Sequence, residues 1–389
     1  MSWPTKKLGD ICHIYGGDAA PQDKTLFKGG SVPFIRMQDL GRYHITTELR
    51  ETADKLTTGA IQKLGLRIWR PGVILIPRSG SVYMNHRAIL GTNAVVVSHI
   101  AILFDFSEEI LPHYLFYYLT TVDMGRYGTK TTGIDSISFS QLGRIKISFP
   151  SLKIQKQIVE HLDKIAEAQK LNDELIQKAD ELFQSLLHKE LNPVGKKWGT
   201  EKLGEYLIRF DRGISWSHKN EGGTIAVLRI PNIKEGEIDI NDLKYINTEN
   251  ENGKLEKDDI VMVASNGNPD LVGRSALVTE KENGMRFASF LIRLRLDDMK
   301  LLPQYAHSFL LTPFFKQELR QKIATTSGIY NLKKEHIEKI KIPIPPPKTQ
   351  KQIVAKLSAA QEYKKQLLEQ RIKLKELFDS VLHKSMRNE

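Results

Sequence analysis

The sequence lacks several features that would narrow its chemistry. Its 389 residues include a single cysteine, Cys12, which excludes an internal disulfide and a multi-cysteine zinc site. No apolar run approaches the roughly 18 residues that cross a bilayer, and the first residues lack the apolar core of a signal peptide. The histidines are scattered, without the i, i+4 spacing of a helical zinc pair. These absences predict a cytoplasmic protein that carries no metal and does not enter a membrane.

Signatures of DNA-modifying enzymes are missing as well. An amino-methyltransferase uses Asn/Asp-Pro-Pro-aromatic to hold a flipped base, and the nearest run is Asn268-Pro-Asp-Leu271. A metal-dependent nuclease built on Asp270 and the run Asp298-Met-Lys300 would be too loosely spaced, and surface salt links explain these residues better. No Gly-x4-Gly-Lys-Ser/Thr phosphate loop occurs. We therefore expect no catalytic residue and no cofactor in this chain.

What the sequence does contain is an internal repeat. The run Trp3-Pro-Thr-Lys-Lys-Leu-Gly-Asp10 returns 195 positions later as Trp198-Gly-Thr-Glu-Lys-Leu-Gly-Glu205. Two more blocks return at the same offset: Gln155-Lys-Gln-Ile-Val159 as Gln350-Lys-Gln-Ile-Val354, and Leu182-Phe-Gln-Ser-Leu-Leu-His-Lys189 as Leu377-Phe-Asp-Ser-Val-Leu-His-Lys384. Three blocks at one offset indicate a tandem duplication.

The first part of each copy is predicted to be a mixed α/β domain. Short apolar runs such as Val73-Ile-Leu-Ile-Pro77 and Ile260-Val-Met-Val263 stand between glycine and proline residues, which is typical of strands bounded by turns. Helical stretches are interspersed, for example 112–121 and 303–322.

The second part of each copy is predicted to be one long helix. Residues 151–189 contain no glycine or proline, and their apolar residues recur at spacings of three, four and seven. A helix from Leu152 to Lys189 would span about 57 Å. Residues 348–384 repeat the pattern, and prolines stand just before both starts, where they are tolerated.

Each long helix carries an apolar stripe that needs a partner. Each could pack only on its own globular domain, but pairing the two as an antiparallel coiled coil hides both stripes at once. The predicted fold class is therefore α+β, a pseudo-twofold tandem duplication in which two homologous mixed α/β domains are separated by two long antiparallel helices. The boundaries are 1–150 and 191–345 for the domains, and 151–190 and 346–389 for the helices.

The chain resembles the specificity subunit of type I restriction-modification enzymes. In that family a target recognition domain opens near Trp-x-x-x-x-Leu-Gly-Asp/Glu, and it closes with a strand, a proline-bearing turn and Gln-x-x-Ile-Val. Here the closing signature stands at Ile340–Val354 and, with fewer prolines, at Ile145–Val159. The resemblance covers the whole chain.

The resemblance implies a DNA reader without catalysis. Each recognition domain would read one half of a bipartite, asymmetric site on double-stranded DNA, and the helices would set the gap. The partners implied are two methyltransferase subunits, with restriction subunits in the full complex. S-adenosylmethionine, ATP and Mg²⁺ would then belong to those partners. The net charge of +11 is compatible with a polyanionic ligand.

Three pairs of loops, matched by position in the repeat, are candidates for DNA contact, because Arg reads guanine, Asn and Gln read adenine, and hydroxyls and amides hold phosphates. The first pair supplies Arg36 and Gln38, with Arg229 and Asn232. Alternatively, each arginine pairs with a carboxylate such as Asp39.

The second and third loop pairs are rich in glycine and hydroxyl residues, as DNA-contacting loops and ordinary turns both are. The second pair supplies Arg78, Ser79 and Gly80, with Ser265, Asn266 and Asn268, and is followed by Arg87 and Arg274. The third pair supplies Lys130, Thr131 and Thr132, with Thr325, Thr326 and Ser327.

Partner-binding candidates lie at the starts of the long helices, on faces expected to be exposed: Gln155, Gln157, Gln350 and Gln352. Two other functions stay open. The chain could be a nuclease or methyltransferase with an unrecognised site, or a coiled-coil scaffold without DNA specificity.

Overall fold

A computed structural model describes most of the chain. The residues described are 3–43, 48–79, 86–128, 136–192, 198–215, 221–234, 236–248, 252–323, 325–326 and 328–387, with the backbone alone for 41–43, 325–326 and 387. They form two compact units, Met1–Asp173 with Glu369–Glu389, and Glu174–Leu368. Each unit contains one globular domain and parts of both long helices.

The first globular domain mixes short strands and short helices. Its described strands are β1 (Thr5–Lys7), β2 (His13–Gly16), β3 (Val32–Ile35), β4 (Glu48–Leu49), β5 (Lys55–Leu56), β6 (Ile68–Trp69), β7 (Ile74–Pro77), β8 (Ala88–Leu90), β9 (Ala94–Val96), β10 (Ile100–Phe104) and β11 (Lys146–Ser148). Its helices are α1 (Leu8–Ile11), α2 (Met37–Tyr43), α3 (Thr58–Leu64), α4 (Pro112–Thr120) and α5 (Phe139–Gly143), and the first long helix, α6 (Leu152–Leu191), follows.

Two sheets organise this domain, in the orders β2-β10-β7-β8-β4 and β5-β3-β9-β6. Strand β7 is buried along its whole length, which explains its uninterrupted apolar sequence. A separate antiparallel ribbon pairs β1 with β11 and joins the beginning of the domain to its end.

The second globular domain repeats this plan. Its described strands are β12 (Thr200–Lys202), β13 (Leu207–Arg212), β14 (Glu221–Leu228), β15 (Lys244–Ile246), β16 (Ile260–Val263), β17 (Ser265–Asn266), β18 (Ser275–Leu277), β19 (Arg286–Phe287), β20 (Leu291–Leu296), β21 (Thr325–Thr326), β22 (Ile329–Asn331) and β23 (Lys341–Pro343). Its helices are α7 (Pro303–Leu310), α8 (Pro313–Lys322) and α9 (Lys334–Glu338), followed by the second long helix, α10 (Pro347–Arg387).

The sheets of the second domain have the orders β13-β20-β16-β18, β15-β14-β19 and β17-β22-β21, and β12 pairs with β23 as β1 does with β11. The prediction of one helix over residues 303–322 is wrong in one respect. The segment forms two helices, because Thr312 caps a new helix that starts at Pro313, and proline disfavours a helical residue before it.

The duplication is visible in backbone geometry. Gly17 and Gly213 occupy equivalent tight corners in the two domains. An added Cβ would lie 2.1 Å from the Val96 carbonyl oxygen at Gly17, and 2.0 Å from the Phe287 carbonyl oxygen at Gly213. In the first domain β3 runs parallel to β9, and in the second β14 runs parallel to β19. The sequence repeat is therefore a repeat of fold.

Both long helices contribute to the core of each unit. In the first unit, Ile158 and Leu162 of α6 and Leu382 and Met386 of α10 join one cluster with the buried aromatic residues of α4. In the second unit the same roles fall to Leu187 and Leu191 of α6 and to Ile353 and Leu357 of α10, around Tyr305, Phe309 and Phe315.

The helix segments pair with each other antiparallel inside a unit. In the second unit the Lys364 ammonium lies 2.5 Å from the Asp180 carboxylate, and that of Lys356 lies 2.9 Å from the Glu190 carboxylate. Residue numbers along α10 therefore decrease where those along α6 increase, so the two helices run in opposite directions. In the first unit the Gln169 amide donates to the Leu374 carbonyl at 3.2 Å. The prediction of antiparallel pairing is confirmed. The described part of the chain contains no helix apolar enough over a sufficient length to cross a membrane.

Candidate nucleic-acid interface

In the first domain, three strands of one sheet end or begin at the same edge. Pro77, at the end of β7, pairs with Ile100 at the start of β10, and Gly16, at the end of β2, pairs with Ala101. Strand-end surface 1 consists of the residues just beyond these ends, Arg78, Ser79 and His99, together with Ser136 and Phe139, which contact them. Ser136 follows the third candidate loop and bridges to Ser79. The fold thus brings the second loop beside the end of the third.

Hydrogen bonds and ring contacts hold this surface in place. The Ser79 hydroxyl lies 2.6 Å from Nδ1 of the exposed His99. The Arg78 guanidinium lies 4.4 Å from the centre of the Phe139 ring and donates to the Ser98 carbonyl at 3.5 Å. Stacking fixes the guanidinium plane while other N–H groups can still meet a phosphate or a base edge.

The second domain has an equivalent surface. Strand-end surface 2 consists of Arg212, Asn266, Asn268, Phe290 and Asn331. Arg212 ends β13 and donates to the Ser265 hydroxyl and the Ser289 carbonyl, both at 3.4 Å. Asn331 accepts from the Ser265 hydroxyl at 2.5 Å, and Phe290 is 56% exposed.

The second and third candidate loops are adjacent here as well. Asn266 pairs with Tyr330 on one side of β22, and Thr325 pairs with Tyr330 on the other. The Asn266 and Asn268 side-chain oxygens accept from the backbone N–H groups of Asn268 and Asp270, at 2.8 and 2.9 Å. These bonds order the loop and point to side-chain amides as the groups that could donate to DNA.

The two surfaces correspond in position and differ in chemistry. Arg78 and Ala264 donate their N–H groups to the equivalent carbonyls of His99 and Phe290, at 3.0 and 2.9 Å. Ser79 therefore corresponds to Ser265, and Arg78 to Ala264. In the second domain the cation comes from Arg212, at the end of β13. The two domains therefore hold different side chains in equivalent backbone frames.

The first loop pair behaves differently. The side chain of Arg36 pairs with Asp54 at 2.5 Å, and that of Arg229 with Asp242 at 3.0 Å. Both arginines therefore form structural ion pairs, which was the alternative to DNA contact. Their partners are Asp54 and Asp242, not Asp39. Gln38 is exposed.

Asn232 is not available for DNA. It is 2% exposed, and its amide donates to the carbonyls of Asp239 and Asp242 while its oxygen accepts from the Arg229 N–H. Its prediction as a contact is wrong, because these bonds use its polar atoms to shape a turn.

Two further residues are corrected by burial. Arg87 is completely buried, and Ser265 is 4% exposed and bonded to Asn331 and Arg212. Neither side chain can reach DNA from this position, although Ser265 orients residues that can. Arg274 is half-buried and donates to the Ile233 carbonyl at 3.4 Å.

Some candidates cannot be placed. Gly80, Lys130, Thr131, Thr132 and Ser327 lie outside the described residues, and Thr325 and Thr326 are described by their backbone alone. Their roles stay predictions.

The helix-start glutamines divide into two kinds. Gln155 and Gln350 are 0% and 1% exposed and bind backbone groups of their own domains, so the prediction that they dock a partner is wrong. Gln157 and Gln352 are exposed, as expected, and remain candidates for docking.

Sequence reasoning missed His99, Arg212, Phe290 and Asn331. The signal for one of them was present: Arg212 directly precedes Gly213, the repeat equivalent of Gly17, and a residue just before a glycine corner lies at a strand end. His99 and Phe290 directly precede the matched strands β10 and β20, but their unlike chemistry hid the correspondence.

Comparison with known proteins defines the class. The family described as the type I restriction modification DNA specificity domain matches residues 2–181 and again residues 196–376. These two matches include most of the chain, which therefore belongs to this family.

Individual relatives are specificity subunits. The chain is 26% identical over 281 residues to the type I restriction enzyme StySPI specificity subunit of Salmonella potsdam, and 26% identical over 279 residues to the EcoKI specificity subunit of Escherichia coli. Each match covers 66% of this chain and 60% of the relative.

Solved structures share the fold. The S subunit of a type I restriction-modification system from M. genitalium superposes with a TM-score of 0.61 at 14% identity, over 99% of this chain and 96% of that one. A chain from a structure of type I R-M complex assembly gives 0.63 at 16% identity, over 99% and 98%.

Proposed function

We propose that this chain is the non-catalytic DNA-recognition subunit of a type I restriction-modification complex. Each globular domain reads one half of a bipartite, asymmetric site through its strand-end surface. The observation that carries the proposal is the pair of equivalent surfaces with different side chains, on a chain that contains the DNA specificity domain twice. A location in the cytoplasm and a gap set by the paired helices are parts of the same proposal.

The experiment is selection from a duplex pool of random sequence, by the chain alone and by the chain assembled with its modification subunits. We expect enrichment of a split motif with a fixed gap, strongest for the complex. Substituting His99 and Arg78 should then relax one half-motif only, and substituting Arg212 and Asn331 the other. Stable assembly without any enrichment would favour a scaffold, and a change in both halves from either pair would contradict modular reading.

We further propose that two modification subunits bind to exposed apolar and amide side chains of the long helices. Leu182 and Leu377 are repeat equivalents that are 50% and 49% exposed, and Gln157 and Gln352 are exposed near the helix starts. An equivalent residue in each repeat fits one equivalent partner per repeat.

The test of assembly introduces charge at these positions. Leu182→Glu with Leu377→Glu, and separately Gln157→Glu with Gln352→Glu, should reduce co-purification of modification subunits. The control is Met299→Glu, because Met299 is an apolar residue that is 85% exposed on the second domain. Unchanged assembly in both pairs would contradict the assignment.

Cofactor chemistry is assigned to the partner subunits, which would bind S-adenosylmethionine, ATP and Mg²⁺, with restriction subunits joining the full complex. The competing function is a nuclease or methyltransferase in this chain. Incubating the purified chain with DNA, Mg²⁺ and S-adenosylmethionine distinguishes the two, because cleavage or methyl transfer by the chain alone would refute the proposal.

A further inference from the structure

An exposed arginine on the first domain lies over a group of aromatic rings. The Arg67 guanidinium carbon is 4.0 Å from the centre of the Trp69 ring, 5.3 Å from that of Tyr15 and 5.5 Å from that of Phe104. Trp69 is 4% exposed, whereas Tyr15 is 51% exposed and Arg67 is exposed too. The rings form a floor under the guanidinium and leave its outer side open to solvent.

The guanidinium of Arg67 is not occupied by a carboxylate. Within the described ranges it makes no hydrogen bond or ion pair, whereas Arg36, Arg229 and Arg293 each pair with an aspartate. A stacked guanidinium keeps its five N–H donors in a fixed plane. Little side-chain freedom is lost when a ligand binds such a group. Its planar set of donors suits a phosphate or the hydrogen-bond acceptors on the edge of a base.

Arg67 adjoins strand-end surface 1. Its backbone N–H donates to the Asp18 carboxylate at 2.8 Å, and the Asp18 carbonyl accepts from Ser98 N–H at 2.8 Å. Ser98 in turn accepts from Arg78 and precedes His99. A continuous set of hydrogen bonds therefore links the Arg67 backbone to the surface proposed to meet DNA.

The second domain lacks this arrangement at the equivalent place. Tyr15 pairs with Ile102 in the sheet as Asp211 does with Arg293, so an aspartate stands where the first domain has tyrosine. Gly253 adjoins Ile214, the counterpart of Asp18, where the first domain has Arg67. At the compared positions that the structure describes, the aromatic floor and its cation are found in the first domain and not in the second.

From these contacts we infer that Arg67 is a DNA contact of the first recognition domain, donating hydrogen bonds to the half-site that this domain reads. The inference rests on the proposed function and deepens it. The acceptors are phosphate oxygens or the edge of a guanine, which share the same donor chemistry.

The test uses the full chain assembled with modification subunits and the duplex that the wild-type complex selects. Arg67→Ala and Arg67→Lys are compared with Arg144→Ala, which removes the same charge from an exposed position on the same domain. We expect Arg67→Ala to weaken binding by about tenfold or more, the scale of one good guanidinium contact. Arg67→Lys should recover only part of this, because an ammonium cannot present a planar set of donors.

Two further readouts separate a contact from a structural role. A base contact predicts that selection by Arg67→Ala relaxes one position in one half-motif. A phosphate contact predicts uniform weakening, with the slope of log affinity against log salt reduced by about one. Thermal unfolding checks that the variants fold as the control does.

The outcomes also separate this inference from the proposed function. If the wild type enriches a split motif and Arg67→Ala binds like Arg144→Ala, Arg67 is not a contact and the proposed function stands. If the wild type enriches no motif, the proposed function fails and the inference fails with it.

Discussion

Gln155 and Gln350 make the same buried contacts in the two repeats. Each side chain oxygen accepts from a backbone N–H that precedes a helix of its domain, Leu111 for Gln155 and Leu302 for Gln350, both at 2.9 Å. Each amide donates to the proline carbonyl five residues earlier, at 2.8 and 3.0 Å. The two glutamines fasten the start of each long helix to the domain before it.

Replacing either glutamine by alanine should lower the free energy of unfolding of its unit by about 1–3 kcal/mol, since a buried N–H and a buried carbonyl lose their partner. Urea unfolding followed by circular dichroism measures this. Gln157→Ala, on the exposed side of the same turn, should stay within about 0.5 kcal/mol of wild type. Equal effects of Gln155→Ala and Gln157→Ala would mean that the buried contacts do not hold the helix.

The matched corners predict a steric effect of a single methyl group. Gly17→Ala and Gly213→Ala would each put a Cβ against two carbonyl oxygens, so the strand end must move, and we expect a loss of about 1–3 kcal/mol in each domain. Gly59, near the start of α3, has open space around its Cβ position. Gly59→Ala should therefore leave the melting temperature unchanged or raise it slightly. Tolerance of alanine at both corners would show that they relax easily.

A buried charge network distinguishes the second domain. Arg293, with 0% of its side chain exposed, pairs with Asp211 at 2.6 Å and lies 3.4 Å from the equally buried Asp259, which also accepts from Arg295 at 2.7 Å. Arg293→Met would leave Asp259 and Asp211 short of a partner, and we expect a loss of about 3–5 kcal/mol.

The control for this network is Arg209→Met, which removes a more exposed pairing with Asp211 at 3.1 Å. It should cost no more than about 1 kcal/mol. Chemical denaturation of both variants compares them directly, and similar losses would indicate that burial of Arg293 adds nothing to the strength of the network.

The buried His307 predicts a pH dependence of stability. Burial lowers the pKa of His307 to about 4, below its ordinary value of 6.5. Between these values the unfolded chain binds the proton and the folded chain does not, so stability falls as pH decreases from 6.5 towards 4. The slope from this one group approaches about 1.4 kcal/mol per pH unit.

His307→Asn should flatten that slope, measured as the free energy of unfolding between pH 4 and 7, whatever its effect at neutral pH. The exposed His161 supplies the comparison, and His161→Asn should leave the slope unchanged. A slope that survives in His307→Asn would assign the pH dependence to other groups.

The sequence contained enough to predict the duplication, the long helices and their antiparallel pairing, because these depend on periodic patterns along the chain. It also predicted β16 at its observed bounds and β7 to within one residue. These strands are buried apolar runs, whose pattern does not depend on knowing their neighbours in space.

Individual side chains were harder to predict, because burial is decided by contacts between distant segments. Gln155 looks like a surface residue of a helix until the backbone N–H of Leu111 is known to donate to its side chain. Arg87 and Asn232 are likewise polar residues in loop-like sequence that the fold buries. The correspondence of Arg78 with Ala264 depends on strand register, which differs from the simplest alignment of the loops.

The composition of the first unit has a consequence for synthesis on the ribosome. Its core includes Leu382 and Met386, and the Phe378 ring lies 6.0 Å from that of Tyr117, whereas the second unit is a continuous stretch, Glu174–Leu368. During translation the second unit therefore has all of its residues before the first one does. The globular domain that is synthesised first therefore keeps part of its α4 surface uncovered until residues 378–386 have been made.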